Sequence, residues 1–389
     1  MMKYDFDKII DRRNTYSVKW DYMKEFEKGE NLLPLWVADM DFQSPQPVIE
    51  SIEKRAAHGI YGYADFPKTL NKVVADWVKK RHGWTIENQF VCYIPGVVAA
   101  IKCAIRAFTH PGDRILIQSP VYTPFFSSIE RNARQIVFNP LKLINGHYEM
   151  DLDDLERKLQ DNVKMMILCS PHNPGGMVWS HSQLSKVAHL CSREGVLLIS
   201  DEIHSDIIYK GKKHVPIASI SNEAAQNSIT CIAPSKTFNV AGLAASVIII
   251  PNKSLRERYE KEIASAGYET NLMGIVAMEA AYQHGEEWLE QMLEYLEGNL
   301  AFLAGFIKEK IPEIRLIRPE GTFLAWIDFR ELELTKVELD ELLIKKAGIF
   351  LNEGSSYGKE GTGFKRLNFG CSRSLLSEAL HRLEKAIHE

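Results

Sequence analysis

An excess of charge of one sign is missing from this chain. Lysines and arginines number 47 against 51 aspartates and glutamates, a formal net charge of −4 over 389 residues. That balance offers no basic field for nucleic acid or for an anionic membrane surface. Long hydrophobic runs are missing too: the apolar stretch Ala244 to Ile250 is far too short to span a bilayer. The opening Met1-Met2-Lys3-Tyr4-Asp5-Phe6-Asp7-Lys8 has no apolar signal-peptide core, so a cytoplasmic protein is expected. Cysteine is sparse. Cys92, Cys103, Cys169, Cys191, Cys231 and Cys371 form no Cys-x-x-Cys and read as small buried hydrophobes rather than disulfides. Cys169 and His172 make a Cys-x-x-His, but no second pair follows at zinc spacing, so no metal is expected. No Gly-x-Gly-x-x-Gly follows a strand-like run, which removes the dinucleotide fingerprint. Internal repeats, low-complexity tracts and long linkers are absent as well.

What is present is a rhythm of short apolar runs. They are Val91-Ile94, Arg114-Ser119, Gln135-Asn139, Met165-Ser170, Val196-Ser200, Ser228-Ala233 and Ala245-Ile250. Helical periodicity separates several of them, as in Val98-Phe108, Leu152-Leu159 and Gln183-Arg193. Alternating helices and near-continuous apolar strands predict an α/β fold, with a mostly parallel seven-stranded sheet covered on both faces. The segment to residue 46 reads as an arm and lead-in strand belonging partly to a small domain. Residues 47–285 read as a large domain. Residues 286–389 read as a smaller α+β domain, opening with a long helix over Glu286-Lys308 and closing with one over Ser374-Ile387.

The most informative stretch is Ala233-Pro234-Ser235-Lys236-Thr237-Phe238-Asn239, which follows the apolar run Ser228-Ile232. A lysine at the end of a buried strand is costly to desolvate, and such lysines often serve as catalytic amines. Asp201 ends another such run, and Asn173 follows a third within Ser170-Pro171-His172-Asn173-Pro174. In parallel sheets ligand groups gather at the carboxyl ends of strands, so one cleft can hold all three. A lysine to hold an aldehyde, an aspartate for a pyridinium nitrogen and a polar group for a phenolic oxygen describe a pyridoxal 5′-phosphate (PLP) site. Gly96-Val97-Val98 opens an apolar helix after the first strand. Its backbone N–H groups and helix dipole suit a phosphate.

At these residues the chain resembles the fold-type I PLP enzymes, the aspartate aminotransferase superfamily, and within it the MalY/PatB group of cystathionine β-lyases, or C–S β-lyases. The likeness runs over essentially the whole chain. It is carried by Arg12-Arg13-Asn14-Thr15, Leu35-Trp36-Val37-Ala38-Asp39-Met40-Asp41-Phe42 and His58-Gly59-Ile60-Tyr61-Gly62-Tyr63. Further on it rests on Ser119-Pro120-Val121-Tyr122, Pro171-His172-Asn173-Pro174-Gly175-Gly176, Asp201-Glu202-Ile203-His204 and Ser235-Lys236-Thr237-Phe238-Asn239. Arg366-Leu367-Asn368-Phe369-Gly370-Cys371-Ser372-Arg373 is the last of these marks.

The resemblance implies roles. Lys236 is the covalent anchor and the base for the substrate Cα proton. Asp201 pairs with the ring nitrogen, Asn173 with the phenolic oxygen, and Ser235 joins Gly96, Val97 and Val98 at the phosphate. Tyr122 stacks on the ring, and Tyr63, with Tyr61 as the competitor, reaches the phosphate of a neighbouring subunit, which implies a homodimer with shared sites. Arg373, with Arg366 as its rival, grips the substrate carboxylate, and Trp36, Val37 and Ala38 line the substrate pocket. His204 is a cofactor neighbour standing where many aminotransferases carry tyrosine. Ala244 stands where many carry a phosphate-binding arginine, and Met177 replaces another common arginine. The implied activity is β-elimination from cystathionine, cystine or cysteine S-conjugates, giving a thiol, pyruvate and ammonia. An aminotransferase using the same residues, and a PLP-binding regulator with weak lyase activity, are the alternatives.

Overall fold

The structure is a computed structural model describing residues 2–23 and 32–389. Seven strands form its central sheet: β1 (Val91–Ile94), β2 (Arg114–Ile117), β3 (Gln135–Phe138), β4 (Val163–Cys169), β5 (Leu197–Asp201), β6 (Ser228–Ile232) and β7 (Ser246–Ile249). Their spatial order is β1-β7-β6-β5-β4-β2-β3. The neighbours from β6 to β3 all pair in parallel, and β7 runs antiparallel to both β6 and β1. The sheet therefore carries the expected mostly parallel character, with the seven apolar runs as its strands.

Both faces are covered. Along β2, Leu116 faces one core while Ile115 and Ile117 face the other. Along β4, Met166 and Leu168 share the first core; Met165, Ile167 and Cys169 share the second. This period of two, with apolar residues on both sides, makes the central strands read as unbroken hydrophobic runs. Every residue of β5 and of β6 is buried.

Local signals place the helices. Ser180 and Gln183 close a capping box that starts the helix His181–Arg193. Gly96 precedes the helix Val97–Phe108 with φ 105°, a conformation that side chains rarely adopt. The helix that begins at Lys336 is α-helical only for Lys336–Asp340 and continues as a π-helical stretch over Glu341–Lys346.

A second, four-stranded antiparallel sheet lies in the C-terminal part: β8 (Arg315–Ile317), β9 (Leu324–Asp328), β10 (Asn352–Glu353) and β11 (Phe364–Asn368), in the order β8-β9-β11-β10. The lead-in strand is short. Leu33–Pro34 pairs in parallel with Ile349–Phe350, and Leu35 accepts the backbone N–H of Asn368. The polypeptide between residues 35 and 42 is thus laid along the second sheet before it reaches the first.

Candidate active site

Strands β1, β4, β5 and β6 end at the same edge of the large sheet. Asp201 is the last residue of one of them, and just past the others lie Gly96, Asn173 and Lys236. Lys236 sits in the short helical turn Pro234–Thr237. It lines a cleft of about 960 Å³ together with Val37, Ala38, Asp39 and Asn239. Its amine donates to the Ala38 carbonyl at 2.6 Å. Burial lowers its pKa to about 8; the charge of Arg366 adds to this, while Asp39 and Asp201 oppose it. A lysine so tuned is partly neutral near physiological pH, as a nucleophile or base requires.

Asp201 is buried as the last residue of β5. It caps no helix; one of its oxygens accepts the backbone N–H of Ile203 at 3.2 Å within a turn. Burial pushes its carboxyl up to about 7, against the lowering effects of that N–H and of Lys236. A cation placed against this carboxylate would relieve the cost of its burial.

Asn173 is likewise buried, and its Oδ1 accepts from Arg366 at 3.0 Å. His204 is buried against Phe323, edge to face, and its Nδ1 has no hydrogen-bond partner among the described residues. Burial holds its imidazole well below the usual pKa, helped by the positive charges of Lys236 and Arg366. Tyr122 follows the end of β2. Burial and then the nearby charge of Asp201 push its hydroxyl up to about 12. Ser235 is buried beside Lys236.

At Gly96 an added Cβ would meet nothing within 4 Å, so space lies open over the helix N-terminus. The Gly96 N–H points to Ser246 Oγ at 3.2 Å. The N–H groups of Val97 and Val98 lie in the first turn, where an α-helix leaves donors without intrahelical partners. Ala244, where a cation would be common in related families, has φ 46° and supplies no charge.

The structure separates the two candidate arginines. Arg373 is the first residue of the last helix, Arg373–His388, and turns away from the cleft. Its Nε donates to Asn299 at 2.7 Å, and its guanidinium lies 5.0 Å from the Phe302 ring centre on the long helix Glu286–Lys310. Arg366, in the middle of β11, is the arginine at the site. Besides Asn173 it donates to the Trp36 carbonyl at 2.8 Å. Its guanidinium lies 5.3 Å from the Tyr357 ring centre, and its buried Nε has no hydrogen-bond partner among the described residues.

Trp36, Val37 and Ala38 act through their backbones. Their carbonyls accept from Arg366, Asn368 and Lys236 respectively. The Trp36 indole instead packs between Tyr22 and Phe350 and donates to the Lys19 carbonyl. Tyr63 is fully exposed, and Ile60 and Tyr61 in the same segment are about two-thirds exposed. The structure of one chain therefore does not bring Tyr63 to its own cleft. Met177 is fully buried in the core.

Two residues escaped sequence reasoning. Tyr357 floors Arg366 from Gly354-Ser355-Ser356-Tyr357-Gly358, a run with no chemical signature. Asp39 lies beside Lys236 and is paired with Arg12 at 2.6 Å. Only its place between Ala38 and Met40 hinted at a site.

Known proteins share this arrangement from end to end. The description of the aminotransferase class I and II family matches residues 30–383. Cystathionine beta-lyase PatB of Bacillus subtilis is 42% identical over 385 residues, covering 98% of this chain and 100% of that protein. The crystal structure of cystalysin from Treponema denticola, which contains a pyridoxal 5′-phosphate cofactor, superposes with a TM-score of 0.96. It is 39% identical and covers 100% of this chain and 99% of that one. The PLP-bound C–S lyase from Staphylococcus hominis superposes at 0.93, with 33% identity and coverage of 100% and 99%. With the family's pattern spanning nearly the whole chain and relatives matching it along their full length, this protein belongs to the class I and II aminotransferase family.

Proposed function

We propose that this protein is a PLP-dependent carbon–sulfur β-lyase acting on cystathionine, cystine or cysteine S-conjugates. The observation that carries the reading is the closeness of Lys236 to Asp201 and to Arg366, the latter bonded to Asn173. The full-length likeness to PatB, cystalysin and the staphylococcal C–S lyase supports the choice of reaction.

The residues fit PLP. Open space above Gly96 suits a phosphate at a helix N-terminus, and Ser235 in the lysine turn offers a hydroxyl. Asp201 has reason to seek a cation, and the unpartnered His204 Nδ1 lies in the same site. Tyr122 offers a broad aromatic face. When bound, PLP supplies an electron sink for negative charge developing at the substrate Cα.

The chain's own groups do the rest. Lys236 anchors the cofactor, and once released its amine takes the Cα proton. Arg366, held rigid by Asn173, the Trp36 carbonyl and the Tyr357 ring, presents its fork to the substrate α-carboxylate. Expulsion of sulfur from Cβ then leaves a thiol, and hydrolysis of the remaining fragment gives pyruvate and ammonia.

The exposed run Ile60-Tyr61-Gly62-Tyr63 suits burial against a second copy. Our reading is a homodimer in which Tyr63 completes the neighbour's phosphate site. Six buried, unpaired cysteines suit a reducing compartment, the cytoplasm.

The test is the product profile. L-cystathionine should yield pyruvate with no keto acid added. Amino transfer to an added keto acid without pyruvate would overturn the lyase reading.

A further inference from the structure

Behind the cleft lies a buried polar assembly that the proposed chemistry does not use. Asp206 and Glu202 are both almost wholly buried. Asp206 Oδ2 accepts from Thr237 Oγ1 at 2.8 Å and from the Trp77 indole at 3.3 Å. His82 Nε2 lies 3.1 Å from its other oxygen, and Arg81 stands 4.0 Å away. Glu202 Oε1 accepts from Ser200 Oγ at 2.8 Å and from the Ile217 N–H at 2.9 Å. Its other oxygen is 2.7 Å from His214 Nε2. The two histidine rings meet edge to face, 5.3 Å apart between centres.

The placement of this assembly is what matters. Thr237 is the residue after Lys236. Glu202 is the residue after Asp201, and Asp206 lies two beyond His204. The turn carrying Asp201 and His204 is closed by backbone bonds from Ser205 to Glu202 and from Ile207 to His204. Asp206 therefore ties three segments together: the end of the helix Leu70–His82, the Asp201–His204 turn and the lysine turn Pro234–Thr237. Burying a carboxylate is expensive unless it is well bonded. Core packing needs only an apolar side chain at either place. A carboxylate instead demands fixed donors, and Thr237 is one of them.

We propose that Asp206 is a positioning residue for Lys236, acting through the Thr237 hydroxyl. The lysine has one chain neighbour locked to a rigid acceptor on the side away from the cleft. Its amine is thereby held against the Ala38 carbonyl, in the low-water surroundings that depress its pKa. This rests on the proposed role of Lys236 as the active amine, but the first readout below needs neither cofactor nor lyase activity.

The experiment compares Thr237→Val, which keeps shape and loses the hydroxyl, with Thr237→Ser, which restores it. In the cofactor-free full chain, the pH midpoint for acylation of Lys236 is followed by peptide mass spectrometry. The midpoint should move upward in Thr237→Val, from about 8 toward the ordinary lysine value, and return in Thr237→Ser. In the PLP-loaded enzyme, Thr237→Val should lower kcat by about 10- to 100-fold, because misplacement by an ångström has that effect, with little change in KM. His82→Gln perturbs Asp206 from the far side, should move the midpoint the same way by less, and decides the matter alone if Thr237→Val does not fold. A lowered melting temperature with no shift of the midpoint in either variant would overturn the proposal and leave the assembly a purely structural one.

Discussion

Replacing Arg366 by alanine should cripple the enzyme, whereas replacing Arg373 should barely affect it. Arg366 is 3% exposed and holds two charged hydrogen bonds, to Asn173 at 3.0 Å and to the Trp36 carbonyl at 2.8 Å. Removing it deprives the substrate carboxylate of its fork and leaves the buried Asn173 Oδ1 without this donor, while the Trp36 carbonyl keeps its bond from Asn352. Truncating one partner of a buried charged pair costs about 2–5 kcal/mol. That range corresponds to a fall in kcat/KM of about 30- to 5,000-fold. Arg366→Lys keeps the charge and loses the fork, so it should recover only part of the loss. Arg373→Ala forfeits a hydrogen bond to Asn299 and the contact with Phe302. That should cost about 1 kcal/mol of stability and leave kcat/KM within about threefold of the parent. The assay is steady-state pyruvate release from L-cystathionine, with PLP absorbance recorded to confirm loading. If Arg366→Ala stayed within threefold while Arg373→Ala lost a hundredfold, the assignment from geometry would be refuted.

Asp201→Asn should raise the melting temperature of the cofactor-free protein at pH 8 while abolishing tight PLP binding. With its folded-state pKa raised to about 7, the carboxyl binds protons more readily in the folded than in the unfolded chain. Its contribution to stability therefore falls as pH rises from about 4 to 7. The gain from the substitution should be roughly 2–4 kcal/mol above pH 7 and vanish near pH 3.5, which melting curves across that window would check. Mixing inactive Lys236→Ala chains with inactive Tyr63→Phe chains should restore part of the activity, since one site of each hybrid dimer carries neither change. Confirmed hybrids without recovery would argue against shared sites. Gly354→Ala should destabilise the protein by about 1–3 kcal/mol and weaken substrate binding. A Cβ there would stand 2.2 Å from the Gly361 carbonyl and force the turn carrying Tyr357 to move, which thermal unfolding and KM would both register.

The strands were legible because a sheet covered on both faces leaves unbroken apolar runs, as in Leu197-Leu198-Ile199. Lys236, Asp201 and Asn173 were legible because parallel strands deliver ligand groups at their carboxyl ends. That rule does not reach Arg366 or Arg373, which lie in and after β11. β11 belongs to an antiparallel sheet, where no such rule applies. There the alternation of side chains decides. Lys365 turns to Asp340 and Glu353, and Arg366, on the opposite face, turns to the cleft. Which face fronts the cleft depends on how the segment of residues 35–42 lies along that sheet, and local sequence does not encode this. The Asp206 assembly was invisible for a similar reason. His82 and Asp206 are distant in sequence and meet only when the helix Leu70–His82 packs against the segment after β5 and against Phe238 beside the lysine turn.

The central claim is that Lys236 is the amine that holds PLP in this cleft. Borohydride reduction of the PLP-loaded protein converts a lysine–aldehyde linkage into a stable secondary amine, and peptide mapping then locates it. The pyridoxyl group should be found on the peptide containing Ser235-Lys236-Thr237, with Lys236→Ala taking up none covalently there. A pyridoxyl group on any other lysine, or no uptake of PLP at all, would contradict the account.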